Sequence, residues 1–159
     1  MICIVQQKGL DLFDTVVPFI KSYIKREAQN KGSFELPAES YNALRQQYSA
    51  EHILTCIAHT CSDPDYNLGI VSVDIYTHRM NFIFGLADPR QKTAVVSTFR
   101  LAGENMKERI GKEVIHELGH LMGLQHCDDR KCVMHFSNTI NDTDYKGIEF
   151  CRTCRSMYE

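Results

Sequence analysis

The chain reads as an α/β (α+β) protein built on a mixed sheet, mostly parallel with one antiparallel strand, and packed by helices. Three observations predict this. Short apolar runs of strand type alternate with helical periodicity in the first half of the chain, and strand-like runs then follow one another between residues 68 and 101. After them a long helical segment carries an apolar stripe on one face and a cluster of histidines on another. The 159 residues suffice for one domain with its own core, and no repeat or linker suggests a second.

In chain order, residues 1–5 (MICIV) have the composition of a buried strand. Phe13, Val16, Val17, Ile20, Tyr23 and Ile24 recur at helical spacing around Pro18, so this helix is either kinked at the proline or begins around Asp14 with Asp14 as its cap. Residues 25–32 read as a polar connector and residues 33–36 as a short strand closed by Pro37. Residues 41–48 (YNALRQQY) show no clear period. A second helix is expected over residues 49–58, capped by Ser49, with Ile53, Leu54 and Ile57 on its buried side. Cys56 and Cys61 at its end could bind metal, but with no third ligand close in sequence they read better as small apolar packing residues.

Residues 68–75 (LGIVSVDI), 81–86 (NFIFGL) and 93–101 (TAVVSTFRL) are β-branched and aromatic runs, the last two joined by a hairpin-like link at Asp88 and Pro89. Residues 81–86 are the candidate for the antiparallel strand. The long helix then spans residues 105–123, with Met106, Ile110, Val114, Leu118 and Leu121 facing the sheet.

That helix contains HELGHLMGLQH, residues 116–126. His116 and His120 are four residues apart and project from one helical face, where both can reach one ion. Glu117 can reach a metal-bound water without binding the metal. Gly123 can adopt a left-handed conformation that ends the helix and turns the chain back, bringing His126 in as a third ligand. Three protein ligands leave one coordination position open, the arrangement of a catalytic zinc, with a zinc-bound water as nucleophile and Glu117 as general base.

Seven cysteines and no export signal argue against a disulfide framework. Four of them, Cys127, Cys132, Cys151 and Cys154, form C-x4-C and C-x2-C pairs that could close a tetrahedron around a structural zinc. Cys127 directly follows His126, which would couple the two sites. A formal net charge of −2 offers no electrostatic case for nucleic acid or an anionic membrane, and no apolar run is long enough to span a bilayer. The expectation is a cytoplasmic monomer acting on peptide or protein substrates, without nucleic acid or membrane partners.

HExxHxxGxxH followed closely by a methionine resembles the metzincin clan of zinc peptidases. HELGHLMGLQHCDDRKCVM with CRTC downstream more narrowly resembles the archaemetzincins over residues 116–154. The resemblance implies a metzincin-like, twisted five-stranded sheet with an antiparallel edge strand bordering a cleft. It also implies two zinc ions per chain, one catalytic and one structural, and a metallopeptidase with aminopeptidase activity among its relatives. Residues 1–159 would form one domain, with residues 1–123 an N-terminal subdomain containing the active-site helix. Residues 124–159 would be a C-terminal subdomain holding the Met-turn and the structural zinc. Met134 would be the Met-turn residue beneath the catalytic zinc; otherwise it is an ordinary core methionine. Where some metzincins carry a tyrosine two residues after that methionine, this chain has Phe136, which offers no hydrogen-bond donor; Tyr145, Arg45 and His135 are the candidates for its role. The alternative to an active peptidase is a zinc-stabilised peptide-binding or regulatory protein with little or no turnover.

Overall fold

The computed structural model describes residues 1–61 and 65–158. A five-stranded sheet forms the centre in the spatial order β2-β1-β5-β8-β7. Its strands are β1 (Ile2–Gln7), β2 (Ala28–Phe34), β5 (Tyr66–Val71), β7 (Gly85–Asp88) and β8 (Thr93–Ser97). The first four in that order are parallel, and β7 pairs antiparallel with β8 at one edge. A small second sheet joins β3 (Tyr41–Asn42), β4 (Gln47–Ser49) and β6 (Ile75–Tyr76).

The two faces of the main sheet are read off the strands by alternation. Ile2 and Ile4 of β1, Leu68 and Ile70 of β5, and Ala94 and Val96 of β8 enter one core. Cys3, Val5, Val71 and Val95, at the intervening positions, enter the other. On the first face lie α1 (Phe13–Phe19), the long α3 (Met106–Leu121) and the C-terminal segment with α4 (Ile140–Tyr145) and α5 (Arg152–Tyr158). On the second lies α2 (Ala50–Thr60), which buries Ile53, Leu54 and Ile57. The Ser49 hydroxyl accepts the His52 amide at its start, the cap expected from the sequence.

Several expectations are corrected. The polar stretch read as a connector is most of β2, whose residues 29–33 are exposed. Backbone pairing to β1, with Ile2 opposite Ala28 and Gln7 opposite Phe34, holds it at the sheet's solvated edge, so no apolar pattern marks it. The first helix starts at Phe13 with Leu12 at its cap position, not Asp14, and runs through Pro18 into a π-helix over Ile20–Ile24. Pro18 has no amide to give to the preceding turn, and the widened turn follows it.

The antiparallel edge strand is Gly85–Asp88 rather than residues 81–86. Arg45 and Gln47 side chains bind the carbonyls of Met80 and Asn81, tying that segment to the β3–β4 hairpin, and Ile83 makes only an isolated bridge with Ile75. β8 ends at Ser97 because the chain leaves the edge pairing: Thr98 donates to the Val71 carbonyl and Leu101 closes a turn on Thr98.

Gly69 in β5 sets the distance between sheet and α2. A Cβ there would lie 2.1 Å from Ile57 Cδ1 and 2.7 Å from Cγ1. Gly69→Ala is therefore expected to destabilise the fold by about 1–3 kcal/mol through overpacking, seen as a lower thermal midpoint. Adding Ile57→Val should return part of the loss; an unchanged midpoint in Gly69→Ala would contradict this packing.

Candidate active site and metal centres

The C-terminal end of α3 builds the site by local chemistry. Gly123 takes φ +98°, Leu124 donates to the Gly119 carbonyl and Gly123 to that of His120, the paired bonds of a Schellman cap. This turn points the Leu124 carbonyl back at α3, where His120 Nδ1 donates to it at 2.8 Å. His116 Nδ1 likewise donates to the Val133 carbonyl at 2.7 Å. A carbonyl can only accept, so both rings carry their proton on Nδ1 and present a bare Nε2 when neutral.

Those two Nε2 atoms are 3.2 Å apart. Two lone pairs at that distance repel unless a cation lies between them, and two ligands of a tetrahedral zinc at about 2.0–2.1 Å would be separated by about 3.3 Å. His126 joins them, its ring centroid 4.8 Å from that of His120 and 5.3 Å from that of His116. One nitrogen from each of the three rings falls within 4.8 Å of the others, a set that could hold a metal ion. Burial holds all three imidazoles below their ordinary pKa, His116 most strongly, which favours the neutral form a metal requires.

Glu117 is buried beside them. Its Oε1 is 3.9 Å from His116 Nε2, and its Oε2 is buried with no hydrogen-bond partner among the described residues. Burial, and then the negative charge of Glu113, push its carboxyl well above the usual range, while Lys146 opposes this. A Cβ on Gly85 would lie 2.9 Å from Glu117 Cγ and 2.8 Å from the Val95 carbonyl, so the edge strand passes over this carboxylate at a spacing only glycine allows.

A cleft of about 440 Å³ opens between β7 and the histidines. Its lining includes Phe82, Phe84, Leu86, Leu124 and Phe136, together with Glu113, Glu117 and the three histidines. Met134 is fully buried, and a Cβ on Gly119 would lie 2.5 Å from its sulfur, so the glycine lets the methionine pack directly against α3. Phe136 packs on His126 with ring centroids 5.1 Å apart.

The four C-terminal cysteines also converge, their sulfurs within 4.8 Å of one another. Cys127 and Cys151 Sγ are 3.8 Å apart, far beyond a disulfide bond and close to the edge of a zinc–thiolate tetrahedron, about 3.8 Å for Zn–S of about 2.3 Å. Amides of Met134 and Cys151 donate to Cys132 Sγ, and that of Cys154 to Cys151 Sγ. The Cys154 amide pulls the Cys151 thiol down, whereas burial pushes Cys132 and Cys154 up. A divalent cation is what would let all four ionise together. The Cys127 amide donates to the Met134 carbonyl, and its own carbonyl accepts from His135, joining the two centres.

Of the three donors weighed for the place of Phe136, none lines the cleft. Arg45 is engaged with Tyr76 and the Met80 and Asn81 carbonyls, His135 with Cys127, and Tyr145 with Arg130 and Lys131. Cys56 and Cys61 form no group of metal ligands among the described residues. Sequence reasoning missed Glu113, Lys146, Ser137 and Gly85. Glu113 had a signal, its position four residues before Glu117 on the same helical face; the others are brought to the site only by tertiary contacts.

A peptide-sized cleft between an antiparallel sheet edge and a helix bearing HExxH defines a zinc metallopeptidase, a hydrolase whose substrates are peptides or proteins. The chain belongs to Peptidase family M54, whose model matches residues 10–159. It is 48% identical over 131 residues to archaemetzincin of Pyrococcus horikoshii, covering 76% of this chain and 70% of that one. The crystal structure of archaemetzincin from Methanopyrus kandleri superposes with a TM-score of 0.89 at 35% identity, covering 99% of this chain and 92% of that one. That of a zinc-dependent peptidase from Methanocorpusculum labreanum gives 0.88 at 25% identity over 100% of each chain. No helix among the described residues is long and apolar enough to cross a membrane.

The raised carboxyl of Glu117 has a consequence for the metal-free protein. The folded state holds the proton that the unfolded chain releases near pH 4.5, so stability falls as pH rises above that value. Glu117→Gln is expected to raise the thermal midpoint of the chelated protein at pH 8, with the gain shrinking as pH approaches 4.5. A midpoint difference independent of pH would contradict this.

Proposed function

We propose that the chain hydrolyses peptide bonds, with His116, His120 and His126 holding a catalytic zinc, Glu117 as general base, and Cys127, Cys132, Cys151 and Cys154 holding a structural zinc. Met134 is the Met-turn residue of this reading. The observation that carries it is the buried, unpartnered Oε2 of Glu117 beside three converging imidazoles. A zinc ion there supplies Lewis acidity, lowering the pKa of water to about 7 and polarising the scissile carbonyl.

The chain's own residues do the rest. Glu117, buried beside the three imidazoles, accepts a proton from the attacking water and delivers it to the departing amine. The Val133 and Leu124 carbonyls hold the two helical imidazoles in one tautomer and orientation. The peptide lies along β7 by strand addition. Ser97 donates to the Phe84 carbonyl, so by alternation Gly85 and Ala87 turn their backbone groups away from β8 and toward a bound peptide. This moves the peptide-binding edge from residues 81–86 to Gly85–Asp88. Ser137, whose hydroxyl is buried without a partner among the described residues and which lines the cleft, is the donor offered where Phe136 has none.

Residues 1–159 act as one domain on this reading, with Gly123 dividing the helix-bearing part from the cysteine-bearing part. Aminopeptidase action is the finer form of the proposal. The competing reading, peptide binding with little turnover, is favoured by Phe136 alone.

Glu117→Ala is expected to keep its zinc while cleavage of a proteome-derived peptide mixture, read by mass spectrometry, falls by roughly 10²–10⁴-fold. Unchanged cleavage would sink the mechanism, and tight peptide binding by the wild type without cleavage would favour the competing reading. Because Cys127 is bonded to His126, Cys127→Ser should also weaken zinc affinity at the histidine site by about tenfold or more, measured by chelator competition. Full affinity there would show the two sites to be independent.

A further inference from the structure

Glu113 lies one helical turn before Glu117, is 3% exposed and lines the cleft. Its two protein partners converge on one oxygen. The Thr143 hydroxyl donates to Oε1 at 3.0 Å, and Lys146 Nζ lies 3.4 Å from the same atom. Oε2 takes no hydrogen bond among the described residues. Lys146 is wholly buried and also donates to the His135 carbonyl at 3.1 Å, so it is held by the C-terminal segment.

We propose that Glu113 is the specificity-determining group of the cleft, its second carboxylate oxygen accepting a protonated amine of the bound peptide. This rests on the reading of the cleft as the peptide site. The amine is either the peptide's α-ammonium or the tip of a lysine side chain. The surrounding walls, Phe82, Phe84, Leu86, Leu124 and Phe136, suit an aliphatic stem that ends in one charge. An apolar tip would strip water from Oε2 and leave it unpaired, whereas an ammonium replaces that water with a charge-assisted bond. A site built to hydrogen-bond a ligand group discriminates strongly against the analogue that lacks it. Lys146 opposes an incoming cation, but it engages the other oxygen and is sealed from the cleft. Thr143 and Lys146 are therefore positioning residues for Glu113.

The test is calorimetric titration of the zinc-loaded protein with short peptide hydroxamates in two series, the variable residue on either side of the hydroxamate. Each series compares lysine with norleucine, and a free with an acetylated N-terminus. In at least one comparison the amine-bearing ligand is expected to bind about tenfold or more tightly. That ratio should fall to near one in Glu113→Gln and in the charge-neutral pair Glu113→Gln/Lys146→Met, which removes both members of the buried ion pair. Loss of preference on acetylation identifies the α-amine; loss on replacement by norleucine identifies the side chain. No amine preference in the wild type, or a preference that survives Glu113→Gln, overturns the assignment. Amine-dependent binding without cleavage of the parent peptides would leave the inference standing and count against the hydrolase reading. Cleavage without amine preference does the reverse, and absence of binding by every hydroxamate overturns both.

Discussion

Two backbone carbonyls constrain the chemistry of this protein more than any other contact. Val133 and Leu124 each take the Nδ1 proton of a helix histidine, leaving two bare Nε2 lone pairs 3.2 Å apart. The fold sets that arrangement, which suits a shared cation. Leu124 is fixed by the Schellman turn at Gly123, and Val133 by its own amide, which donates to the Glu149 carbonyl. The C-terminal segment is thereby part of the first imidazole's orientation, and its four cysteines converge beside the third histidine, which Cys127 directly follows.

A second constraint is the burial of charge behind the histidines. Glu113, Glu117 and Lys146 are all buried, yet only Glu113 and Lys146 pair. Leaving one carboxylate oxygen of Glu117 unpaired costs stability. The apolar cores on both sheet faces offset it, and the same frame carries β7 over the carboxylate at Gly85.

Much of this was legible in the sequence because it follows from local periodicity. The apolar, β-branched runs of β1, β5 and β8, the apolar stripe of α3, the i, i+4 histidines and the helix-ending role of Gly123 each need only a few neighbouring residues. What was not legible depends on distant partners. β2 is polar and is held by pairing to β1, so no apolar pattern announces it. The position of β7 is decided by Arg45 and Gln47 capturing the Met80 and Asn81 carbonyls, which displaces the edge strand by several residues. Lys146 reads as an ordinary surface lysine until α4 carries it beneath the site, and Ser137 acquires meaning only as part of the cleft wall.

The position of a metal relative to the pinned imidazoles decides the chemistry. Diffraction from zinc-loaded crystals, with anomalous differences collected on both sides of the zinc edge, tests it most directly. The expected result is two peaks per chain. One should lie at about 2.0–2.1 Å from Nε2 of both His116 and His120 and a nitrogen of His126, the other at about 2.3 Å from four cysteine sulfurs. A metal bound through Nδ1 of either helix histidine, or no peak at the three imidazoles, would contradict it.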